Sequence, residues 1–207
     1  AVALTDHGVM YGAIEFYKEC KAAGIKPIIG NEVYITQGSM EDRELRRGER
    51  NYFHLTLLAK DLEGYRNLMR LTSEAHLRGF YYKPRIDDEL LAEHSAGLIG
   101  MSACIAGRIP RLIVAQKYEE AEKLALKYQK LFEKDSFYLE IQHHPDLPDQ
   151  KTVNKGIIAI SKKYGIPLIA TNDSHYLRKE DAEAQDLLML INTDSNPADP
   201  ERLTMKS

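Results

Sequence analysis

The chain has 207 residues, 43% of them hydrophobic and 29% charged, with a formal net charge of −3. That size and balance suit one soluble globular domain with a sizeable core. The charge gives no sign of a strong, charge-driven nucleic-acid binder, although a local basic surface or a metal ion can still hold a phosphate. No apolar run approaches the ~20 residues of a membrane span, and no secretory leader is seen. Only two cysteines occur, Cys20 and Cys104, so no disulfide framework is expected and a cytoplasmic location is the natural reading. The opening Ala1-Val2-Ala3-Leu4 reads as the inside of a strand and lacks an initiator Met, so a fragment of a longer protein is expected.

Residues 1–5 form a short apolar run that ends at Asp6-His7-Gly8. Residues 10–23 have helical spacing, with Ile14, Tyr17 and Lys21 on one stripe and Gly24 as the stop. Residues 27–35 are β-rich and carry Glu32, whereas 37–51 are charged and without a period, which predicts a loop. A strand follows at 53–59, and Asp61 caps a helix that runs to about Leu77. Residues 79–86 are aromatic and irregular, 87–93 suit a short helix, and 97–103 suit a strand leading to Cys104. The strongest amphipathic helix is 118–134, with Ala121, Leu124, Ala125, Tyr128 and Leu131 on its apolar face. A strand at 137–141 runs into Gln142-His143-His144, and a helix at 150–164 stops at Gly165. A strand at 167–171 ends in Asn172-Asp173-Ser174-His175, and a last helix covers 180–191 before a polar tail. This β-then-α alternation predicts an α/β fold of parallel strands with right-handed crossovers, closed as a barrel or left as an open sheet.

Six of the strand-like runs contain or lead to a potential metal ligand. They supply Asp6-His7, Glu32, His54, Cys104, Glu140 with His143-His144, and Asp173-Ser174-His175. Parallel strands bring their C-terminal ends to one face, where barrel active sites form. Imidazole, carboxylate and thiolate together suit Zn, Mn or Fe better than Mg alone. Two or three such ions a few ångströms apart would bridge a phosphate and activate water, so phosphoester hydrolysis is the expected chemistry. Singly, a His or Glu at a strand end is more often a cap or a surface residue. Asp173-x-His175 is stronger, because the period of two points both side chains one way. His143 and His144 are adjacent, so at most one faces a site. His76 and His94 read as surface residues, and Cys104 alone would be a small buried hydrophobe. A Gly-rich phosphate loop and a G-x-S-x-G elbow are both absent, which removes those two enzyme classes.

Thr5-Asp6-His7-Gly8 followed by Gly24-Ile25-Lys26-Pro27-Ile28-Ile29-Gly30-Asn31-Glu32-Val33-Tyr34 resembles the PHP (polymerase and histidinol phosphatase) superfamily. His54-Leu55-Thr56-Leu57-Leu58-Ala59-Lys60 with Gly64-Tyr65-Arg66-Asn67-Leu68, then Tyr82-Lys83-Pro84-Arg85, and Leu168-Ile169-Ala170-Thr171-Asn172-Asp173-Ser174-His175-Tyr176 resemble its polymerase branch, found in the alpha subunits of bacterial replicative polymerases. The resemblance implies a distorted seven-stranded β/α, TIM-like barrel over residues 1–192, with 193–207 as a linker toward a polymerase palm region. It implies His7, Glu32, His54, Cys104, Asp173 and His175 as ligands of two or three divalent ions. Asp173, His175, His7 and Glu32 are the implied catalytic set, with Asp6, Glu140 and His143 as further candidates. The family's opening H-x-H motif does not occur before Asp6, so the first barrel strand is expected to be missing from this chain.

The activity implied is a metal-dependent 3′–5′ exonuclease that proofreads within a DNA polymerase. The implied partners are the 3′ end of a primer strand, a sliding clamp and a separate proofreading subunit. One alternative is a metal-stabilised scaffold that docks that proofreading subunit without catalysis. Another is a stand-alone phosphatase. Lys83 and Arg85 are candidates for phosphate contacts, against the plainer reading of a solvated loop.

Overall fold

A computed structural model describes residues 1–44, 51–145, 147–193, 196–199 and 202. In chain order the strands are β1 (Val2–Leu4), β2 (Pro27–Ile35), β3 (Phe53–Ala59), β4 (Arg85–Ile86), β5 (Leu98–Met101), β6 (Phe137–Gln142) and β7 (Leu168–Thr171). The helices are α1 (Ala13–Ala22), α2 (Leu62–Leu77), α3 (Asp88–Glu93), α4 (Arg108–Val114), α5 (Tyr118–Leu131), α6 (Gln150–Tyr164) and α7 (Ala182–Thr193), the last preceded by a 3₁₀ turn at Lys179–Asp181. One seven-stranded sheet runs β1-β2-β3-β5-β6-β7, with β4 paired to the far end of β2. Val2 to Leu4 of one edge strand and Thr171 of the other line a single cleft, so the sheet curls into a partial TIM-like barrel.

Side chains divide by the period of two. Val33 and Ile35 of β2, Leu55 and Leu57 of β3, and Phe137 and Leu139 of β6 join the apolar core under the helices. The alternate residues Glu32, Thr56, Glu140 and Gln142 are also buried, but they line the cleft inside the curl. Helices α2, α3 and α6 on the outside have ends that their sequences dictate. Asp61 accepts from the Gly64 N–H at 2.9 Å and Asp87 from the Leu90 N–H at 2.9 Å, and Gly165 ends α6 in the left-handed conformation.

Strand β3 departs from the expected parallel arrangement. It is antiparallel to both β2 and β5, while β1–β2, β2–β4, β5–β6 and β6–β7 are parallel. The link from β2 to β3 carries no helix among its described residues, so the chain turns back instead of crossing over. The part of that predicted loop at 45–50 lies outside the described residues. Helix α4 falls in a stretch to which the sequence assigns no element. Pro110 sits in its first turn, where a missing N–H costs nothing. The stripe on α1 faces outward: Ile14 and Tyr17 are exposed, and Ala13 and Cys20 are the buried residues. No helix among the described residues is long and apolar enough to cross a membrane.

Candidate metal centre

Backbone pairing holds His7, Glu32 and His54 in register. The β1–β2 ladder continues past β1: the Glu32 N–H donates to the Asp6 carbonyl and the Gly8 N–H to the Glu32 carbonyl, both at 3.0 Å. His7 is thereby fixed directly beside Glu32. Gly8 turns the chain away at φ 67°, and a Cβ there would stand 2.8 Å from Pro84 and 3.1 Å from the Tyr34 ring, so only glycine fits. Asn31, wholly buried, accepts from the Gly8 N–H through Oδ1 and donates through Nδ2 to Thr72 Oγ1. His76 is not the surface residue expected. Its Nε2 lies 2.9 Å from the Gly8 carbonyl and buttresses the same turn. His94 is likewise half-buried, beside Asn67.

The reversed β3 puts His54 opposite Tyr34 and two pairs beyond Thr56, which faces Glu32. His54 Nδ1 is 2.8 Å from Glu32 Oε1, and His7 Nδ1 is 3.6 Å from Glu32 Oε2. The ligand atoms of these three residues lie within 4.8 Å of one another. Cys104 follows β5 and joins them, with Sγ 3.5 Å from His54 Nδ1 and 3.8 Å from Glu32 Oε1. His175 comes from the far edge, its ring centroid 6.1 Å from that of His7. Asp173 holds a left-handed φ of 51°, and its carbonyl lies 2.8 Å from His175 Nδ1. Asp6, Asp173, His175 and Glu140 line the same cleft of about 450 Å³.

The histidine pair divides otherwise than expected. His143 is exposed, whereas the half-buried His144 acts electrostatically on Asp173. The adjacency rule says that only one can face inward, and strand phase beyond Gln142 decides which. Arg85 is fully buried and donates to the carbonyls of Gly79, Met40 and Asp42, so it is neither a phosphate contact nor a solvated residue. Lys83 stays half-exposed above the Tyr34 ring. Thr171, which the sequence reading passed over, donates to Glu140 Oε1 at 2.5 Å.

The electrostatics suit a cation. Burial acts to raise the Glu32 carboxyl, but the His54 hydrogen bond and the charges of His54, His7 and His175 outweigh it and hold Glu32 below the usual range. Burial lowers His7, which favours the neutral imidazole whose lone pair a metal ion needs. Burial, then the Glu32 charge, pushes Asp173 up, and the same two causes push the Cys104 thiol up. Burial also raises Glu140, whose Oε2 is buried with no hydrogen-bond partner among the described residues. Four carboxyl groups, a thiol and three imidazoles around one cleft, with an orphaned buried oxygen, form a donor set that fits divalent ions.

The PHP domain family model matches residues 1–144. The chain is 49% identical over 207 residues to DNA polymerase III subunit alpha of Treponema pallidum (strain Nichols), covering 100% of this chain and 18% of that protein. It is 49% identical over 203 residues to the subunit of the same name from Thermus aquaticus, covering 98% of this chain and 16% of that protein. With the Helicobacter pylori (strain 26695) subunit it shares 46% identity over 201 residues, 92% of this chain and 16% of the relative. The chain thus spans less than a fifth of the length of these relatives. Its sheet, its converging side chains and its match to the family along most of its length agree, and the chain belongs to the PHP domain family.

Proposed function

We propose that the cleft binds two or three divalent ions of the Zn, Mn or Fe class and hydrolyses phosphodiesters, as a 3′–5′ exonuclease within a replicative DNA polymerase. One observation carries this reading: Glu32 meets His54 with one oxygen and approaches His7 with the other, as a bridging carboxylate does. Bound ions would supply an activated water and neutralise phosphate charge. His7, Glu32, His54 and Cys104 would form one side of the ion cluster, and Asp173 and His175 the other. Asp6 and Glu140 stand beside them. Thr171 holds the Glu140 carboxylate in place, and Asn31 and His76 hold the turn that aims His7.

The relatives' name, DNA polymerase III subunit alpha, is the support for DNA as the substrate. In the same reading residues 1–192 are the domain, 193–207 lead to the palm, a sliding clamp and a proofreading subunit are partners, and the location is cytoplasmic. Most of that tail lies outside the described residues. The test is hydrolysis of a 3′-labelled oligodeoxynucleotide by the full-length parent chain with Mn²⁺. Asp173→Asn is expected to lose at least the roughly 100-fold that even outer-shell metal partners can cost. Unchanged hydrolysis in that variant would sink the catalytic reading and leave the scaffold reading in its place.

A further inference from the structure

Against the turn that follows His7 lies a feature that the ion cluster does not use. Between α2 and β4 the chain forms a tight loop, Gly79-Phe80-Tyr81-Tyr82-Lys83-Pro84. The Tyr81 N–H donates to the Lys83 carbonyl at 3.0 Å, which leaves Tyr82 alone at the apex. Tyr82 has φ 57° and is 73% exposed. A bulky residue with that backbone is strained, and such strain persists only where the surroundings enforce it.

Here the surroundings do enforce it. The buried Arg85 ties the Gly79 carbonyl to those of Met40 and Asp42, and one of its guanidinium nitrogens has no partner among the described residues. Arg43 donates to the carbonyls of Arg78 and Phe80. Both guanidiniums lie over the Tyr81 ring, Arg43 at 6.0 Å and Arg85 at 5.3 Å, and the Tyr82 ring packs edge-on against it at 4.7 Å. A buried, incompletely satisfied cation and a strained tyrosine both oppose stability. Their common product is an exposed aromatic ring held rigidly outward, with Phe80 also exposed beside it.

The next residue links the loop to the ion cluster. Lys83 Nζ lies 5.5 Å above the Tyr34 ring. Tyr34 stacks on His7 at 5.8 Å and meets His54 edge-on at 5.4 Å. Aromatic faces interleaved with cations bind single-stranded nucleic acid, because every base has a π-face and every linkage a negative charge. A rigid ring also loses little freedom when a base stacks on it.

We propose that the Phe80–Lys83 loop is the platform for a single-stranded DNA end: Tyr82 stacks on a base and Lys83 contacts an adjoining phosphate, directing the strand toward His7, Glu32 and His54. This rests on the phosphodiesterase reading, and the test keeps the two apart by measuring binding without turnover. Fluorescence anisotropy of a labelled oligothymidylate is recorded with the 207-residue chain in EDTA. Tyr82→Gly removes the ring while relieving the backbone, so weaker binding in it cannot be blamed on misfolding. It is expected to raise Kd about tenfold, within the range for losing one base-stacking ring. Tyr82→Phe keeps the ring and should bind like the wild type, as should Tyr118→Ala, an exposed aromatic on α5. Lys83→Ala should reduce the dependence of log Kd on log salt by about 0.7, as for one single-strand phosphate. Undetectable binding by the wild type, or a Tyr82→Gly Kd within about twofold of it, overturns the platform. If Tyr82→Gly loses binding while the metal-loaded wild type hydrolyses no phosphodiester, the platform stands and the phosphodiesterase reading falls.

Discussion

Replacing Glu32 by Gln should separate metal binding from folding. Glu32 meets every other member of the inner cluster through its carboxylate, which is 2.8 Å from His54, 3.6 Å from His7 and 3.8 Å from Cys104. In the metal-free chain the substitution keeps the volume and removes a buried charge, whose desolvation offsets the lost charge-assisted hydrogen bond. Stability should therefore move by only about 1–2 kcal/mol. The metal-loaded chain should behave differently. At 1,000 times Kd, an ion adds about 4.1 kcal/mol to the wild type. For a chain of 207 residues that is a Tm rise of roughly 8–16 °C. If the bridging carboxylate contributes about 100-fold in affinity, Glu32→Gln keeps only about 1.4 kcal/mol, or roughly 3–6 °C. Differential scanning calorimetry in EDTA and in Mn²⁺, with Zn²⁺ in parallel, measures both quantities. A full metal-induced shift in Glu32→Gln would refute the assignment of Glu32 as a ligand, and no shift in the wild type would refute metal binding altogether.

Away from the cleft, the Asp88 carboxylate receives Arg108 at 2.8 and 3.0 Å, with Lys127 and the Tyr128 hydroxyl beside it. Asp88→Asn leaves the Arg108 guanidinium buried with less compensation and should cost about 3 kcal/mol in a urea melt, a loss that Arg108→Met should largely cancel. Burial acts to raise Asp88, but the Lys127 hydrogen bond and the Arg108 charge outweigh it and leave its pKa lowered. Its stabilisation is therefore complete above the unfolded value of about 3.9 and fades as pH falls through the lower folded value, so the gap between wild type and Asp88→Asn should close only below about pH 4. A gap that closes between pH 5 and 7 would assign the effect elsewhere. In α2, a Cβ on Gly64 would stand 1.8 Å from the Gly97 carbonyl oxygen, whereas one on Gly24 would meet nothing within 4 Å. Gly64→Ala should thus cost about 3 kcal/mol and Gly24→Ala about 1 kcal/mol, read as a larger and a smaller fall in Tm; equal falls would contradict the close approach of α2 to the turn before β5.

The sequence is most informative where structure is local. The bounds of β2 and β3, the Asp61 cap, and the α6 stop at Gly165 follow from alternation, an acceptor before an apolar period, and a residue free to turn left-handed. It is least informative where two distant segments decide the outcome. Arg85 is polar in sequence, and only the carbonyls of Met40 and Asp42, over 40 positions away, make its burial tolerable. Helix α4 lies in a stretch to which the sequence reading assigns no element. For the site, the residue types were legible and their grouping only in part. His7, Glu32, His54 and Cys104 touch one another, and Asp173 and His175 reach the cleft from the opposite edge. The choice between His143 and His144 depends on backbone phase after a strand end, which no side chain specifies.

The reversal of β3 explains the one candidate ligand that did not fit its own rationale. Ligands at the C-terminal ends of parallel strands share a face, and Cys104 and Asp173 follow β5 and β7 in that way. His54 is the second residue of its strand. In a parallel β3 it would lie about 17 Å from the C-terminal end, at ~3.3 Å per residue, and out of reach of Glu32. Only an antiparallel β3 brings it to 2.8 Å. The position of His54 within its strand, with the absence of a helical period between β2 and β3, was therefore already evidence for the strand's direction. If convergence on the Glu32 carboxylate is what the chain must preserve, the orientation of β3 is a requirement of the site, and a ligand at the start of a strand among ligands at the ends of others marks the strand that runs backwards.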